Sequence, residues 1–102
     1  MGIETKQKIK KKLIQLDSYQ IKTIESGMGF FLWELDKIDE LNKSYEVENH
    51  HDGFYAIGSD GGGEMLVVEL KTGILYSIPF ISIDNSDKIK VADSIFKLIK
   101  IN

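Results

Sequence analysis

The feature that most constrains the fold is a run of three glycines at residues 61–63, which separates two apolar segments. Residues 54–57 precede it, and residues 64–70 follow it with apolar side chains at alternate positions. Such alternation is typical of a β-strand, because successive side chains point to opposite faces. The pattern therefore predicts two antiparallel strands joined by a bend, where glycine relieves the backbone of steric limits.

Three further strands are predicted on the same grounds. Residues 30–33 form an aromatic-rich apolar run, and residues 19–25 alternate loosely. A short loop at 71–73, which ends in glycine, predicts that residues 74–78 pair back on the preceding strand. Pro79, the only proline, cannot donate to a strand ladder, so it should end that strand or lie on an edge.

Helical spacing of apolar residues predicts three helices. Lysines fill the outer face of the first, and acidic residues near the start of the second suit the helix dipole. Residues 85–87 offer a cap for the third, whose apolar positions begin at Val91. The predicted helices cover residues 4–16, 34–44 and 91–99.

This order of elements predicts one α+β domain over residues 1–102, with an antiparallel sheet of about four to five strands and helices packed on it. The chain has 102 residues, of which 42% are hydrophobic, so a core can form. The aromatic residues Phe30, Phe31, Phe54, Tyr55 and Phe96 are expected in that core.

Composition narrows the classes of function. The absence of cysteine excludes disulfides and thiolate chemistry. The formal net charge is −3, and because residues 1–12 carry +4, the remainder carries −7. An acidic body argues against nucleic-acid binding. With no apolar run for a signal peptide or membrane span, a cytoplasmic location and no membrane partner are expected.

The candidate chemical motifs are weak. The glycine run lacks the lysine and the following helix of a phosphate-binding loop. His50, His51 and Asp52 lack spaced partner ligands, so they predict an exposed loop in preference to a metal site. Asp60 with Glu64 is a pairing expected by chance among sixteen acidic residues. We therefore expect no catalytic residue, no metal and no cofactor.

At residues 54–64, which read FYAIGSDGGGE, the sequence resembles the strand–glycine loop–strand element of the SMI1/KNR4 (SUKH) family. Trp33 with the helix that follows, ending in LNKSY at 41–45, resembles another family segment. So do TGILY at 72–76 and the segment 91–99. The resemblance covers about residues 30–99. Residues 1–28 lack the family's usual leucine-proline start, so the chain resembles a member shortened or diverged at the N-terminus.

The resemblance implies a protein-binding module, most simply a bacterial immunity protein that binds and neutralises a cognate toxin, with a nuclease as one candidate toxin. A non-catalytic regulator or scaffold and a small-ligand binder are the alternatives. The protein is expected to be a monomer or a weak homodimer. An acidic inhibitor would be steered to a basic active site. Trp33, which is either core or contact, and six acidic residues are the predicted partner-binding residues: Trp33, Glu46, Glu48, Asp60, Glu64, Asp84 and Asp87.

Overall fold

The computed structural model describes residues 5–16, 19–23 and 27–100. Within these ranges it contains three α-helices, a 3₁₀ turn and seven β-strands. The helices are α1 (Lys6–Leu16), α2 (Ile38–Ser44) and α3 (Val47–His50), and the 3₁₀ turn is Ile95–Lys97. The strands are β1 (Gln20–Thr23), β2 (Gly29–Leu32), β3 (Phe54–Ser59), β4 (Glu64–Glu69), β5 (Leu75–Pro79), β6 (Ile89–Ala92) and β7 (Leu98–Lys100).

The seven strands form one antiparallel sheet, curved as a half-barrel, in the order β6-β5-β4-β3-β2-β1-β7. The predicted sheet of about four to five strands with helices packed on it is therefore wrong. All five predicted strands are present, but two more flank them. The predicted starts and ends at residues 4, 24 and 25 lie outside the described residues.

Both added strands overlap the region 91–99, which is predicted as the last helix. Ile89 pairs with Ser77 in β5, whereas Leu98 pairs with Thr23 in β1, so the two strands lie on opposite edges of the sheet. A bend at residues 93–94 and the 3₁₀ turn separate them. The β-branched residues of this segment favour strands, so the helical spacing of its apolar residues does not reflect a helix. Phe96, predicted in the core, is exposed on the 3₁₀ turn.

The sheet is buried on both faces at its centre. Along β3, Tyr55 and Ile57 join one apolar cluster, and Phe54 and Ala56 join the cluster on the other face. A strand covered on both sides needs a continuous apolar sequence, which is what residues 54–57 show. The larger cluster also receives Ile9 and Leu13 from the predicted face of α1.

The other two helices are short. Residues 35–37 form a turn, so α2 begins at Ile38 instead of at residue 34, and α3 lies in a segment predicted as loop. Each of these helices buries a single side chain, Ile38 from α2 and Val47 from α3. No helix in the described ranges is long and apolar enough to cross a membrane.

The glycine bend joins neighbouring antiparallel strands, as predicted. Asp60 Oδ1 accepts hydrogen bonds from the backbone N–H of Gly62 (2.7 Å) and of Glu64 (3.2 Å). Gly61 has φ +81°, and a Cβ there would lie 2.9 Å from the Phe31 ring. The bend thus requires glycine for its backbone conformation and for close packing.

Candidate protein-binding surface

Trp33 stands where β2 leaves the sheet. β2 pairs with β3 only through Phe31 with Ser59 and Leu32 with Gly58. The Trp33 N–H then donates to the Ile57 carbonyl (2.9 Å). Its half-buried indole packs against both apolar clusters. Trp33 is therefore both core and surface, which combines the two predicted alternatives.

Three chain segments bring aromatic rings together at Trp33. Tyr45, at the end of α2, stacks on the indole with ring centroids 5.9 Å apart and planes at 23°. Phe80, directly after β5, lies 4.7 Å from the Tyr45 ring. The Phe80 N–H donates to the Gly63 carbonyl (2.8 Å), which ties this ring to the glycine bend. The Tyr45 ring remains exposed.

A second ring pair lies across a hollow from Trp33. Tyr19 and Phe31 have centroids 5.3 Å apart, and a hollow of about 430 Å³ is lined by this pair, Trp33 and Leu41. A neighbouring hollow of about 310 Å³ is lined by Tyr19, Trp33 and apolar side chains that include Ile14. We call the five rings the aromatic ledge: Tyr19, Phe31, Trp33, Tyr45 and Phe80.

Some of the predicted acidic residues lie beside this ledge. Asp60 and Glu64 bracket the glycine bend, whose Gly61 packs under the Phe31 ring. The Glu64 carboxylate also accepts a hydrogen bond from the Ser77 hydroxyl (2.8 Å). The Asp60 carboxylate therefore holds the bend, and the Glu64 carboxylate ties β4 to β5.

The other predicted acidic residues lie elsewhere. Glu46 has φ 53°, which is left-handed backbone, and its carboxylate lies 3.8 Å from His50 Nε2. With Glu48 it lines a cleft of about 480 Å³. Asp84 and Asp87 belong to the loop between β5 and β6. Hydrogen bonds from the Ser86 hydroxyl and N–H lower the pKa of Asp84.

A polar cluster ties α1 and α2 to the sheet. Asp39 on α2 accepts a hydrogen bond from the Tyr55 hydroxyl (2.6 Å) and one from the Lys10 ammonium (2.5 Å). The Lys10 hydrogen bond, followed by that of Tyr55, holds the pKa of Asp39 below its ordinary value of 3.8. Burial, followed by the Asp39 hydrogen bond, raises the pKa of Tyr55, so its hydroxyl stays a donor.

Asp39→Asn should lower the free energy of unfolding at pH 7, and by a smaller amount in acid. Because the folded-state pKa is depressed, the carboxylate stabilises the fold above the unfolded-state pKa. This stabilisation is lost as the pH falls through the folded-state pKa. Solvent screens the exposed pair with Lys10, so the expected loss at pH 7 is about 1 kcal/mol or less.

Urea unfolding at pH 7 and near pH 3 measures this difference. Asp36→Asn, in the exposed turn before α2, is the matched control and should change stability little at either pH. An Asp39→Asn loss of equal size at both pH values would contradict the electrostatic account.

His51 corrects the prediction of an exposed histidine loop. Its side chain is buried, and Nδ1 lies 2.7 Å from Asn85 Oδ1. An amide oxygen only accepts, so Nδ1 carries the proton. Nε2 is buried with no hydrogen-bond partner among the described residues. The same residues contain no group of three or more side chains able to hold a metal ion.

The sequence pointed to Trp33 but not to the rest of the ledge. Phe31 is predicted in the core, Tyr19 in a strand and Tyr45 after the second helix, and none of them is predicted as a contact residue. In the structure Tyr19, Tyr45 and Phe80 each lie directly beside a strand or helix, where the local pattern does not predict exposure. No protein-family model and no curated protein sequence matches this chain.

Proposed function

We propose that this protein is a non-catalytic protein-binding module that binds its partner through the aromatic ledge. The proposal rests on the cluster of Trp33, Tyr45 and Phe80. Three chain segments bring these rings together at the surface beside a hollow. Aromatic side chains in well-packed surface hollows dominate the binding energy of protein interfaces. Glu34 and Lys37, which also line the hollow, supply a polar rim.

The acidic balance supports a partner with a basic surface. The net charge is −3, and residues 13–102 carry −7. Complementary charge accelerates association and selects among partners. Together with the SMI1/KNR4-like segments, this supports an immunity protein that blocks a cytoplasmic toxin acting on nucleic acid.

Tyr19 and Tyr45, whose rings are exposed, test the ledge. Tyr19→Ala/Tyr45→Ala should raise the dissociation constant for the partner at least about 30-fold, because truncated aromatic anchors lose most of their binding energy. The partner is obtained by affinity capture from the native host and purified, and binding is measured by calorimetry. Phe96→Ala, which removes an equally exposed ring outside the ledge, should bind like the wild type.

The activity of the purified partner separates the immunity role from a regulatory one. A toxin should lose its activity at one equivalent of the wild-type protein and keep it with the Tyr19→Ala/Tyr45→Ala variant. A partner that stays active in the complex would indicate a scaffold or regulator. Unchanged affinity of the double variant would overturn the ledge as the contact surface.

A further inference from the structure

The loop of residues 80–88, between β5 and β6, presents two isoleucines to solvent. Ile81 is 93% exposed and Ile83 is 73% exposed, the two highest values among the exposed large hydrophobic side chains. Exposed apolar side chains lose contact with water favourably when a partner surface covers them. The alternating sequence places Ser82 between them, and this side chain is buried.

Hydrogen bonds within the loop fix its conformation. The Ser82 N–H donates to the Pro79 carbonyl (3.0 Å), and its hydroxyl donates to the Asp84 carbonyl (2.9 Å). The Asp84 side chain accepts from the Ser86 N–H (2.9 Å) and hydroxyl (2.6 Å). The backbone that bears Ile81 and Ile83 is thus held by hydrogen bonds within the loop.

The buried side chain of His51 anchors the loop through a hydrogen bond. The His51 Nδ1–H donates to Asn85 Oδ1, and this bond links the end of α3 to the middle of the loop. At the far end, Lys88 Nζ lies 5.2 Å from the Tyr76 ring centroid and 5.7 Å from that of Phe54. A loop held at both points loses little conformational freedom when it binds.

We propose that this loop is a preformed docking element that inserts Ile81 and Ile83 into an apolar pocket with a cationic rim on the protein partner. The inference rests on the proposed function, because the loop continues directly from Phe80 of the aromatic ledge. Asp84 and Asp87 flank the isoleucines and supply the charge that a cationic rim complements. The same carboxylates disfavour a lipid surface, since they would be repelled by anionic headgroups.

Substitution of the two isoleucines tests the docking element. Ile81→Ser/Ile83→Ser should raise the dissociation constant for the purified partner at least about 30-fold. Phe96→Ala, the exposed apolar control, should keep the dissociation constant within about twofold of the wild-type value. Because both isoleucines are solvated in the free protein, the double variant should melt like the wild type, which separates lost contact from lost folding.

The loop anchor gives a second measurement. Asn85→Ala removes the acceptor of His51 and keeps both isoleucines, so binding should weaken several-fold while amide exchange of Ser86 and Lys88 accelerates. Asp84→Asn/Asp87→Asn should slow association and reduce its dependence on salt, because these charges face the cationic rim.

The outcomes separate this inference from the proposed function. If Ile81→Ser/Ile83→Ser binds like the wild type while Tyr19→Ala/Tyr45→Ala does not, the docking element is overturned and the ledge stands. The docking element is also overturned if every protein captured by the wild-type bait is captured by the Ile81→Ser/Ile83→Ser bait as well. Isoleucine-dependent self-association in sedimentation velocity, or isoleucine-dependent binding to phosphatidylcholine vesicles, would assign the loop to a second copy or to a membrane instead.

Discussion

Gly58→Ala is expected to lower the free energy of unfolding by more than about 3 kcal/mol. A Cβ at this position would lie 2.2 Å from the Phe31 carbonyl oxygen and 3.1 Å from the Leu32 Cα. Both atoms belong to the backbone of β2, so no rotation of a side chain relieves the clash. The methyl group would therefore force β2 away from β3 at one of their two paired positions.

The loss of stability is measured by thermal unfolding with tryptophan fluorescence as the signal. Trp33 is the single tryptophan and directly follows β2, so the signal reports on the strand that the substitution displaces. The expected fall in the melting temperature exceeds about 10 °C. Gly63→Ala is the control, because nothing lies within 4 Å of its Cβ position and its φ is not positive. The account fails if the two variants melt within a few degrees of each other.

Asn42→Ala is the second substitution with a large expected effect. The Asn42 side chain accepts from the Ala56 N–H (2.8 Å) and donates to the Ala56 carbonyl (2.8 Å) and to the Ile38 carbonyl (2.8 Å). Ala56 is fully buried, and β2 does not extend far enough to pair with it. The carboxamide thus takes the place of a neighbouring strand.

Removal of this side chain leaves a buried N–H and a buried carbonyl without partners, which costs about 1–3 kcal/mol for each group. We expect Asn42→Ala to lose about 3 kcal/mol or more in urea unfolding. Asn42→Asp keeps the acceptor for the Ala56 N–H but turns a carboxylate oxygen toward the Ala56 and Ile38 carbonyls, so at neutral pH its loss should be at least as large. Asn49→Ala, which breaks one exposed bond of 3.3 Å, should change stability by less than about 0.5 kcal/mol.

The sequence predicts the centre of the sheet well because the signals there are local. The strands at 54–57 and 64–70 meet at a glycine bend, and Gly73, with φ +80°, turns the next hairpin. Pro79 ends β5 as predicted. In each case the residue types at a turn and the alternation beside it determine the outcome without reference to distant parts of the chain.

The edges of the sheet were not predicted, because their pairing is not local. Val91, Ile95 and Ile99 satisfy a helical period as well as two strands. What decides between them is whether β5 and β1 leave open edges for Ile89–Ala92 and Leu98–Lys100. Sequence separation hides such pairing from any local pattern.

The surface was predicted only in part for a related reason. Trp33 stands out as the single tryptophan, but its ring partners Tyr45 and Phe80 come from segments that only the fold brings together. His51 is buried because Asn85 reaches it from another loop, a contact that its polar neighbours in the sequence conceal. Ile81 and Ile83 resemble core residues by type, and only the structure reveals their exposure.

β2 and β3 share two paired positions, fewer than any other pair of neighbouring strands in the sheet. We expect the amides at this junction to exchange earlier than those between β3 and β4, which pair at five positions. Tyr19 and Phe31 lie on the β2 side of the junction, whereas Tyr45 and Phe80 lie on the other side. A ligand that grips all four rings would act as a clamp across the junction and make the whole molecule more rigid.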